Sequence, residues 1–391
     1  MTSTTTRGRT RPRIMHRGRG RPVAGLAAAL AVVAAGALVA GCAPMPPTPP
    51  PGGPVTPVLA GSVGGFSTPW DLRFLPDGTP LVTERGGRVA AVVGGARRVV
   101  ATIADVWAQG EGGLMGLALD PGFAANRWIY TCYARGAGGS VTDVRVVRFR
   151  VAEALDALTD ATPILTGIPA GAGNRHLGCR VEVGPDGMLW ITTGDAVLAT
   201  APQDPTSLAG KVLRATTAGA PAPGNPGGSW NPYVFTLGHR NPQGLAFRPE
   251  DGTPFEVEHG TGCDDEVNVL VAGGNYGWNP VLSGGGYAEG APMTGPGGRP
   301  AAWSSGCPTI APSGATFVTG AGWGSTRGTL AVAVLKASRL RLFGVNGTTV
   351  TGTQDVVTDR GRLRTVRNAP DGSLWVVQDA SPGALLRYVP G

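Results

Sequence analysis

The sequence has 391 residues, of which 15% are charged, and its formal net charge at pH 7 is +7. This charge does not indicate nucleic-acid binding, because seven arginines within residues 7–21 precede an apolar segment and their removal would leave a net charge of zero. The 64 glycines, 35 prolines and many short apolar runs favour an all-β fold rich in turns over a helical one.

Residues 1–41 have the features of a signal peptide. The basic segment is followed by an apolar run at residues 23–40, which is short for a membrane-spanning helix and dominated by small residues. The run ends at Gly41-Cys42, a pattern typical of bacterial lipoproteins, and this predicts acylation of Cys42. A plain secretory peptide cut near Ala40 is the alternative. Residues 42–57 are proline-rich and predict an extended tether that holds a domain off a membrane.

A repeated unit predicts the architecture of the domain at residues 58–391. Five copies are a short apolar strand, a turn built on Pro-Asp-Gly or a related sequence, and a second strand, and the copy at residues 314–333 is degenerate; each predicts a hairpin. Six hairpins predict a six-bladed β-propeller with four strands in each blade. A β-sandwich is the alternative, but its strands would follow one another every 8–12 residues or so without this longer period. The copies lie at residues 72–84, 117–130, 181–192, 245–257, 314–333 and 366–377.

The loops beside these units carry the candidate site residues. His176 precedes a strand of the third unit and is either a general base or a turn residue, since histidine titrates near neutral pH. Asp195 follows a strand of the same unit and either orients a base or holds a turn. Arg240 and Asn241 stand before a proline and present a cation and an amide, which suit an anionic or carbonyl-rich ligand unless they lie on the surface.

Two later segments carry clustered charges. Residues 264–266 are three consecutive carboxylates after a glycine-rich stretch, a pattern compatible with a hard cation although the spacing is not that of an EF-hand. Arg362 and Arg364 point to the same side of an extended strand. With Lys336 they could form a cationic cradle for a ligand that carries several carboxylates, and a solvated edge is the alternative. No glycine-rich nicotinamide fingerprint stands between a strand and a helix, so a dinucleotide is not expected.

These loops, in this order, resemble the soluble glucose and aldose sugar dehydrogenases that depend on pyrroloquinoline quinone (PQQ). The resemblance covers about residues 70–388. It implies oxidation of aldose sugars at the anomeric carbon to lactones, with PQQ and calcium as cofactors and an electron acceptor that the sequence does not name. The motifs that carry it are residues 110–116, 174–180, 194–195, 238–244, 258–266, 275–278, 311–314, 335–336 and 362–364.

The resemblance also implies a role for each candidate. His176 matches the general base that removes the proton of the anomeric hydroxyl, and Asp195 matches the carboxylate that supports it. Glu111 and Gln203 match substrate contacts. Arg240 matches a cation beside the quinone oxygens, where developing charge needs stabilising, and is therefore also a catalytic candidate. Cofactor contacts are implied for Arg240, Asn241, Lys336, Arg362 and Arg364, and calcium ligands, through backbone carbonyls, for Gly260 and Thr261.

Two positions depart from the family pattern. Thr261 stands where the family commonly has proline, and Cys307 stands about where the better-known enzymes have an aromatic residue against PQQ. Four cysteines follow Cys42, which predicts two disulfides in an exported protein, with three connectivities possible. We expect Cys132–Cys179, on neighbouring blades, and Cys263–Cys307, which flank the loops that the resemblance places around calcium and PQQ.

Two other functions fit a six-bladed propeller. A calcium-dependent lactonase would use a metal ringed by carboxylates and no PQQ, and the cations Lys336, Arg362 and Arg364 disfavour it because a lactone needs no such cradle. A non-catalytic binding propeller on the cell surface would have no need for His176. The expected partners are a sugar and an electron acceptor, with membrane contact through a lipid anchor only and no nucleic acid.

Overall fold

The fold is a ring of six four-stranded antiparallel sheets, a six-bladed β-propeller, which confirms the predicted fold class. The computed structural model describes residues 55–171, 173–281 and 283–391. The predicted signal peptide, the lipidation site Cys42 and most of the proline-rich tether lie outside the described residues. The first strands of neighbouring blades contact one another around a closed ring and surround a central channel.

Each blade contains four strands, and the first strand of the chain, β1 (Pro57–Phe66), belongs to the last blade. Blade 1 comprises β2 (Pro69–Phe74), β3 (Pro80–Glu84), β4 (Arg88–Val93) and β5 (Ala96–Thr102). Blade 2 comprises β6 (Leu114–Leu119), β7 (Trp128–Ala137), β8 (Ser140–Val151) and β9 (Leu158–Ile168). Blade 3 comprises β10 (Gly178–Val183), β11 (Leu189–Thr193), β12 (Lys211–Ala215) and β13 (Val234–Leu237).

The second half of the ring follows the same plan. Blade 4 comprises β14 (Pro242–Phe247), β15 (Pro254–Glu258), β16 (Glu266–Val269) and β17 (Trp303–Ser304). Blade 5 comprises β18 (Pro312–Phe317), β19 (Leu330–Val334), β20 (Arg339–Asn346) and β21 (Thr349–Val356). Blade 6 comprises β22 (Leu363–Asn368), β23 (Leu374–Gln378), β24 (Gly383–Pro390) and β1.

Helical structure is slight. Among the described residues the single α-helix is α1 (Phe123–Asn126), and single 3₁₀ turns lie at Ala201–Gln203 and Ala321–Trp323. No helix in this described part of the chain is long and apolar enough to cross a membrane.

Each of the six predicted hairpins forms the first two strands of one blade. In the first blade Leu72 pairs with Val82, and in the third Val181 pairs with Ile191. Gly78 supplies the positive φ that the first turn requires, at +84°, and its N–H donates to the Leu75 carbonyl. The repeat built on Pro-Asp-Gly and its relatives therefore marks the innermost hairpin of a blade, and counting the repeats counts the blades.

The ring is closed by the two ends of the domain. β1 pairs antiparallel with β24, and Val58 lies opposite Val389. Blade 6 therefore takes its outermost strand from the beginning of the domain and its other three strands from the end. The sequence analysis did not predict this pairing.

The apolar core is divided among the blade interfaces. Six clusters of buried side chains occur in the described residues, one between each pair of neighbouring blades. Between blades 4 and 5, Phe255 meets Phe317 edge to face, with ring centroids 5.2 Å apart. Each blade is thus held by apolar contacts on both faces, which makes the ends of the inner strands a rigid base for a site.

A buried ion network crosses the channel. Asp71 accepts hydrogen bonds from Arg73 and Arg367 and lies 2.7 Å from an Arg180 guanidinium nitrogen, while Glu182 binds Arg73 and Arg367. Burial alone would raise the pKa of Asp71, but the three guanidinium groups hold it well below its usual range. The network joins inner strands of blades 1, 3 and 6, so it ties distant parts of the ring together.

Candidate active site

A cavity of about 200 Å³ lies where the six inner strands begin, at one end of the channel. This volume is smaller than the roughly 300–1,000 Å³ that is typical of small-molecule sites. All six blades contribute to its wall, because each blade supplies the start of its first strand or an adjoining loop. The lining residues are Trp70, Arg85, Gly110, Glu111, Met115, Leu177, Gly178, Gln243, His259, Ala311, Leu335, Arg362 and Arg364.

His176 and Asp195 form a buried pair beside this cavity. His176 Nδ1 lies 2.9 Å from Asp195 Oδ1, and both side chains are almost completely buried. The two loops touch at Gly194, where a Cβ would lie 1.7 Å from the His176 carbonyl, so only glycine fits. With Nδ1 donating to the carboxylate, Nε2 is the ring nitrogen left to accept a proton. The structure brings these two predicted residues together in one hydrogen bond.

Asp195 is held by more than the histidine. Val197 N–H donates to Oδ1, while the Trp278 indole N–H and the Tyr287 hydroxyl both donate to Oδ2 at 2.7 Å. Sequence reasoning gave Trp278 no role of its own and did not single out Tyr287. No signal in the sequence connects them to Asp195, since they lie more than 80 residues further along the chain.

Glu111 connects the histidine loop to Asn241. One Glu111 oxygen accepts the His176 backbone N–H at 2.9 Å and the Asn241 side-chain amide at 3.3 Å. The side-chain oxygen of Asn241 in turn accepts a hydrogen bond from the Gly178 N–H. Three predicted site residues thus share one hydrogen-bond network at the cavity.

The predicted cationic cradle lies on one side of the cavity. Arg362 and Arg364 both bind Asp379 Oδ2, at 3.3 and 2.9 Å, so their side chains do lie on the same side. Arg85, which sequence reasoning missed, adds a third guanidinium to the lining. Its position directly after the second strand of a hairpin was the available signal. Lys336 follows the lining residue Leu335 but is exposed, and its ammonium donates to Thr309 Oγ1.

Some of the unpaired buried polar atoms lie at or near the cavity. Within the described residues, buried side-chain nitrogens without a hydrogen-bond partner include Nε2 of His259 and Nε of Arg240 and Arg364. Burial, together with the positive charges of Arg364 and Arg240, lowers the pKa of His259 to about 3, so this ring is neutral. Guanidinium donors around a closed space suit a ligand rich in carboxylate and carbonyl oxygens, which is the chemistry of PQQ.

The predicted calcium loop is bonded to Arg240. The Arg240 guanidinium donates to the backbone oxygens of Gly260, at 2.7 Å, and of His259, and it forms an ion pair with Glu289. The Asp265 carboxylate accepts a hydrogen bond from the Gly260 N–H, so this side chain bonds within its own loop. Backbone oxygens are suitable calcium ligands, but the Gly260 carbonyl already faces a cation in this arrangement. The loop as it stands does not present a formed calcium site.

Gln203 lies apart from the cavity wall. Its side-chain amide donates to Asn275 Oδ1 and to the Trp278 carbonyl, and its oxygen accepts from Asn275. The structure therefore shows a residue that ties two loops together, and the predicted substrate contact stays a prediction. Thr261 adjoins Gly260 in the loop that Arg240 contacts.

Both predicted disulfides are present. Cys132 and Cys179 have Cα atoms 5.6 Å apart and join blades 2 and 3 within the core. Cys263 and Cys307 have Cα atoms 4.3 Å apart and join the loop after Gly260 to the loop before Thr309. The second bridge thus braces the segment that carries the calcium candidates.

Blade 4 contains a carboxylate cluster that sequence reasoning did not identify. His239, Glu256 and Glu258 are fully buried and close enough together to hold a metal ion, yet the Asn268 amide donates to both carboxylates and to Glu266. Burial and the charge of Glu258 raise the pKa of Glu256 well above its usual value, and the same two causes raise that of Glu266 to about 8. Glu256 and Glu258 alternate along β15, so their shared side was readable from the sequence.

Known proteins resemble this chain over nearly all of the described domain. A family model described as Glucose / Sorbosone dehydrogenase matches residues 66–387. The aldose sugar dehydrogenase YliI of Escherichia coli (strain K12) is 32% identical over 336 residues, which cover 82% of this chain and 90% of that protein. The fold and these matches define a propeller oxidoreductase of the sugar dehydrogenase type.

Solved structures agree with this assignment. The PQQ-bound aldose sugar dehydrogenase of Streptomyces coelicolor is 30% identical with a TM-score of 0.74, covering 86% of this chain and 99% of that one. A glucose dehydrogenase described as a putative oxidoreductase from Thermus thermophilus is 36% identical with a TM-score of 0.73, covering 86% of this chain and all of that one. The chain belongs to the glucose/sorbosone dehydrogenase family.

Proposed function

We propose that this protein oxidises aldose sugars at the anomeric carbon to lactones with PQQ as its cofactor. The observation that carries the proposal is the His176–Asp195 pair at the edge of a cavity lined by Arg362 and Arg364. A base and a group of guanidinium donors are the two protein components that such a reaction needs. The likeness to a PQQ-bound aldose sugar dehydrogenase supports the same cofactor here.

The chain's own contribution to the reaction is proton removal and positioning. PQQ, when bound, supplies the two-electron acceptor for the hydride that leaves the anomeric carbon. His176 Nε2 accepts the proton of the anomeric hydroxyl, so that loss of a hydride and a proton converts the hemiacetal into a lactone. Asp195 fixes Nδ1–H and stabilises the imidazolium that forms. Glu111 lies at the cavity wall beside His176 and, in this proposal, accepts a hydrogen bond from the sugar.

The same proposal assigns the cofactor contacts. Arg362, Arg364 and Lys336 would neutralise the carboxylates of PQQ, while Arg240 and Asn241 would face its carbonyl oxygens. The unpartnered Nε atoms of Arg240 and Arg364 support this assignment, because buried donors without acceptors are costly. Arg240 must exchange its contact with Glu289 for one with the cofactor.

Calcium enters the proposal through the resemblance, with the carbonyl oxygens of Gly260 and Thr261 as ligands. Arg240 would have to release the Gly260 oxygen first, so we assign calcium no step in the reaction. Titration of PQQ into the apo-protein with calcium and with a chelator tests this point. Equal PQQ affinity in the two titrations would remove calcium from the proposal.

Two disulfides support an exported protein, and we propose a lipid anchor at Cys42 on the outer face of the membrane. Mass spectrometry of the mature amino terminus distinguishes an acylated Cys42 from a free one, and Cys42→Ala should release the protein from membranes. A free amino terminus near Ala40 or Cys42 would instead establish the plain secretory alternative.

Reconstitution tests the activity. Apo-protein supplied with PQQ and calcium should reduce a dye in the presence of aldoses, and a lactone-hydrolysis assay tests the lactonase alternative. His176→Asn keeps an amide that can donate to Asp195 but removes the base, and His176→Ala removes both. Each should lower turnover at least about a hundredfold while PQQ still binds. Unchanged turnover in these variants would refute the assignment of His176.

A further inference from the structure

Trp278 contacts Asp195, the carboxylate that supports the proposed base His176. Its side chain is fully buried, and its indole N–H donates to Asp195 Oδ2 at 2.7 Å. Its backbone is held on both sides, since its N–H donates to the Gly238 carbonyl and its own carbonyl accepts the Gln203 amide. A large ring held in this way has little freedom to turn, so the direction of its N–H is fixed.

The contacts of Asp195 explain what this N–H does. Oδ1 accepts from His176 Nδ1 and Val197 N–H, and Oδ2 accepts from Trp278 and Tyr287. Burial and the charge of Asp195 raise the pKa of Tyr287, so its hydroxyl remains a donor. Four donors on a fully buried carboxylate leave it one orientation. Asp195 can therefore present Oδ1 to the imidazole in only one direction.

The indole of Trp278 contacts both Asp195, which supports the proposed base, and Arg240, a proposed cofactor contact. Its edge binds Asp195, while the Arg240 guanidinium lies 5.6 Å from the ring centroid, within the range of a cation–π contact. No other tryptophan in the described residues donates to a carboxylate that also binds a histidine. The ring thus relates the position of His176 to that of Arg240.

We propose that Trp278 is a positioning residue, which fixes Asp195 through its indole N–H and thereby sets the orientation and basicity of His176. The proposal rests on the proposed function for its catalytic consequence. Each donor to Oδ2 draws charge from the carboxylate and weakens its attraction for a protonated imidazole. Removal of the N–H should therefore let His176 take up a proton more readily and let Asp195 turn.

The matched pair of variants is Trp278→Phe and Tyr276→Phe. Both residues are buried in the same segment, but the Tyr276 hydroxyl donates to the Val269 carbonyl and not to Asp195. Tyr287→Phe removes the other donor to Oδ2 from a half-buried position, so it serves if Trp278→Phe does not fold. Trp278→Phe leaves unchanged the charged and titratable groups around His176 and Asp195, which are Glu111, Arg175, Lys211, Arg240, His259 and Tyr287.

We expect Trp278→Phe to lower kcat about tenfold, the usual effect of losing one hydrogen bond to a charged group, with little change in KM. The acid limb of its pH–rate profile should move to higher pH by at least about half a unit, and Tyr287→Phe should move it the same way. Trp278→His, which can restore a donor, should recover part of kcat. Tyr276→Phe should change thermal stability alone.

A second readout separates this proposal from the proposed function. Imidazole signals in NMR spectra of the apo-protein, assigned with His176→Asn, should show the titration midpoint of His176 moving to higher pH in Trp278→Phe. Reconstituted wild-type protein that oxidises no aldose would refute the proposed function, while the NMR titration would still test Trp278. Trp278→Phe that matches Tyr276→Phe in kcat, in the pH profile and in the NMR midpoint would overturn the positioning role.

Discussion

The two disulfides allow one stability prediction to be worked through in detail. Cys132–Cys179 and Cys263–Cys307 join residues separated by 47 and 44 positions, so they close loops of nearly equal length. In the chain-entropy treatment, either bridge then stabilises the fold by about 4 kcal/mol through its effect on the unfolded chain. Loop length alone therefore predicts equal losses for Cys132→Ala/Cys179→Ala and for Cys263→Ala/Cys307→Ala.

The different burial of the two disulfides predicts that the losses of unfolding free energy differ. Cys132 and Cys179 are fully buried between blades 2 and 3, whereas Cys307 is exposed. Alanines in the buried pair leave a void of about two sulfur atoms, which costs roughly 1–2 kcal/mol at about 24 cal/mol per Å³. We therefore expect the buried variant to lose about 5–6 kcal/mol of unfolding free energy and the exposed variant about 4 kcal/mol.

Equilibrium unfolding of the apo-protein in urea, followed by tryptophan fluorescence, measures both losses. Wild-type protein with both bridges reduced is the control, because it removes the constraint without removing sulfur atoms. Mild reductant should also open Cys263–Cys307 before Cys132–Cys179, as mapping of alkylated peptides would show. A larger loss of unfolding free energy in the exposed variant than in the buried one would refute the reasoning from burial.

Three further predictions concern buried or cavity-lining charges. The fold raises the pKa of Glu256 above its ordinary value of 4.5. The contribution of the protonated side chain to the free energy of unfolding is therefore lost as pH rises from 4.5 towards the raised pKa. Glu256→Gln should therefore unfold at a urea midpoint less dependent on pH between about 5 and 9, and parallel slopes for variant and wild type would contradict this. Lys211→Met should cost at least about 1 kcal/mol in urea unfolding, because it removes the ammonium donor from the Ala209 carbonyl and from the carbonyls of Ala201 and Pro202, which keep backbone donors; an unchanged urea midpoint would exclude that role. Arg362→Ala/Arg364→Ala should weaken PQQ binding by more than about 2 kcal/mol in a titration, whereas Arg387→Ala, on β24 and paired with Asp371, should not; equal affinities would make the first pair surface residues.

Local patterns predicted the parts of the fold that local sequence specifies. The turns built on Pro-Asp-Gly and its relatives predicted five inner hairpins and a degenerate copy predicted the sixth, because each turn and its two strands are contiguous. The pairing of β1 with β24 was not predicted, since β1 carries no turn motif and its partner lies more than 300 residues away. Contacts at that separation leave no periodic signal in the sequence.

The same distinction holds at the candidate site. The resemblance predicted the contact of His176 with Asp195, and strand alternation predicted that Arg362 and Arg364 lie on one side. The contact of Arg240 with Gly260 and the donors Trp278 and Tyr287 were not predictable, because they depend on how loops from different blades meet. The substrate contact of Gln203 stays a prediction, since its amide ties two loops together outside the cavity wall.

The pairing of β1 with β24 sets an order of events for a chain that is made from its amino terminus. β1 is the first strand of the domain to be synthesised, and β24, which it must meet, is the last. Phe66 at the end of β1 packs into the interface between blades 6 and 1, so that interface stays incomplete until the final strand arrives. Premature termination anywhere in the domain therefore leaves an open arc with an apolar edge at each end, which proteases and chaperones can recognise.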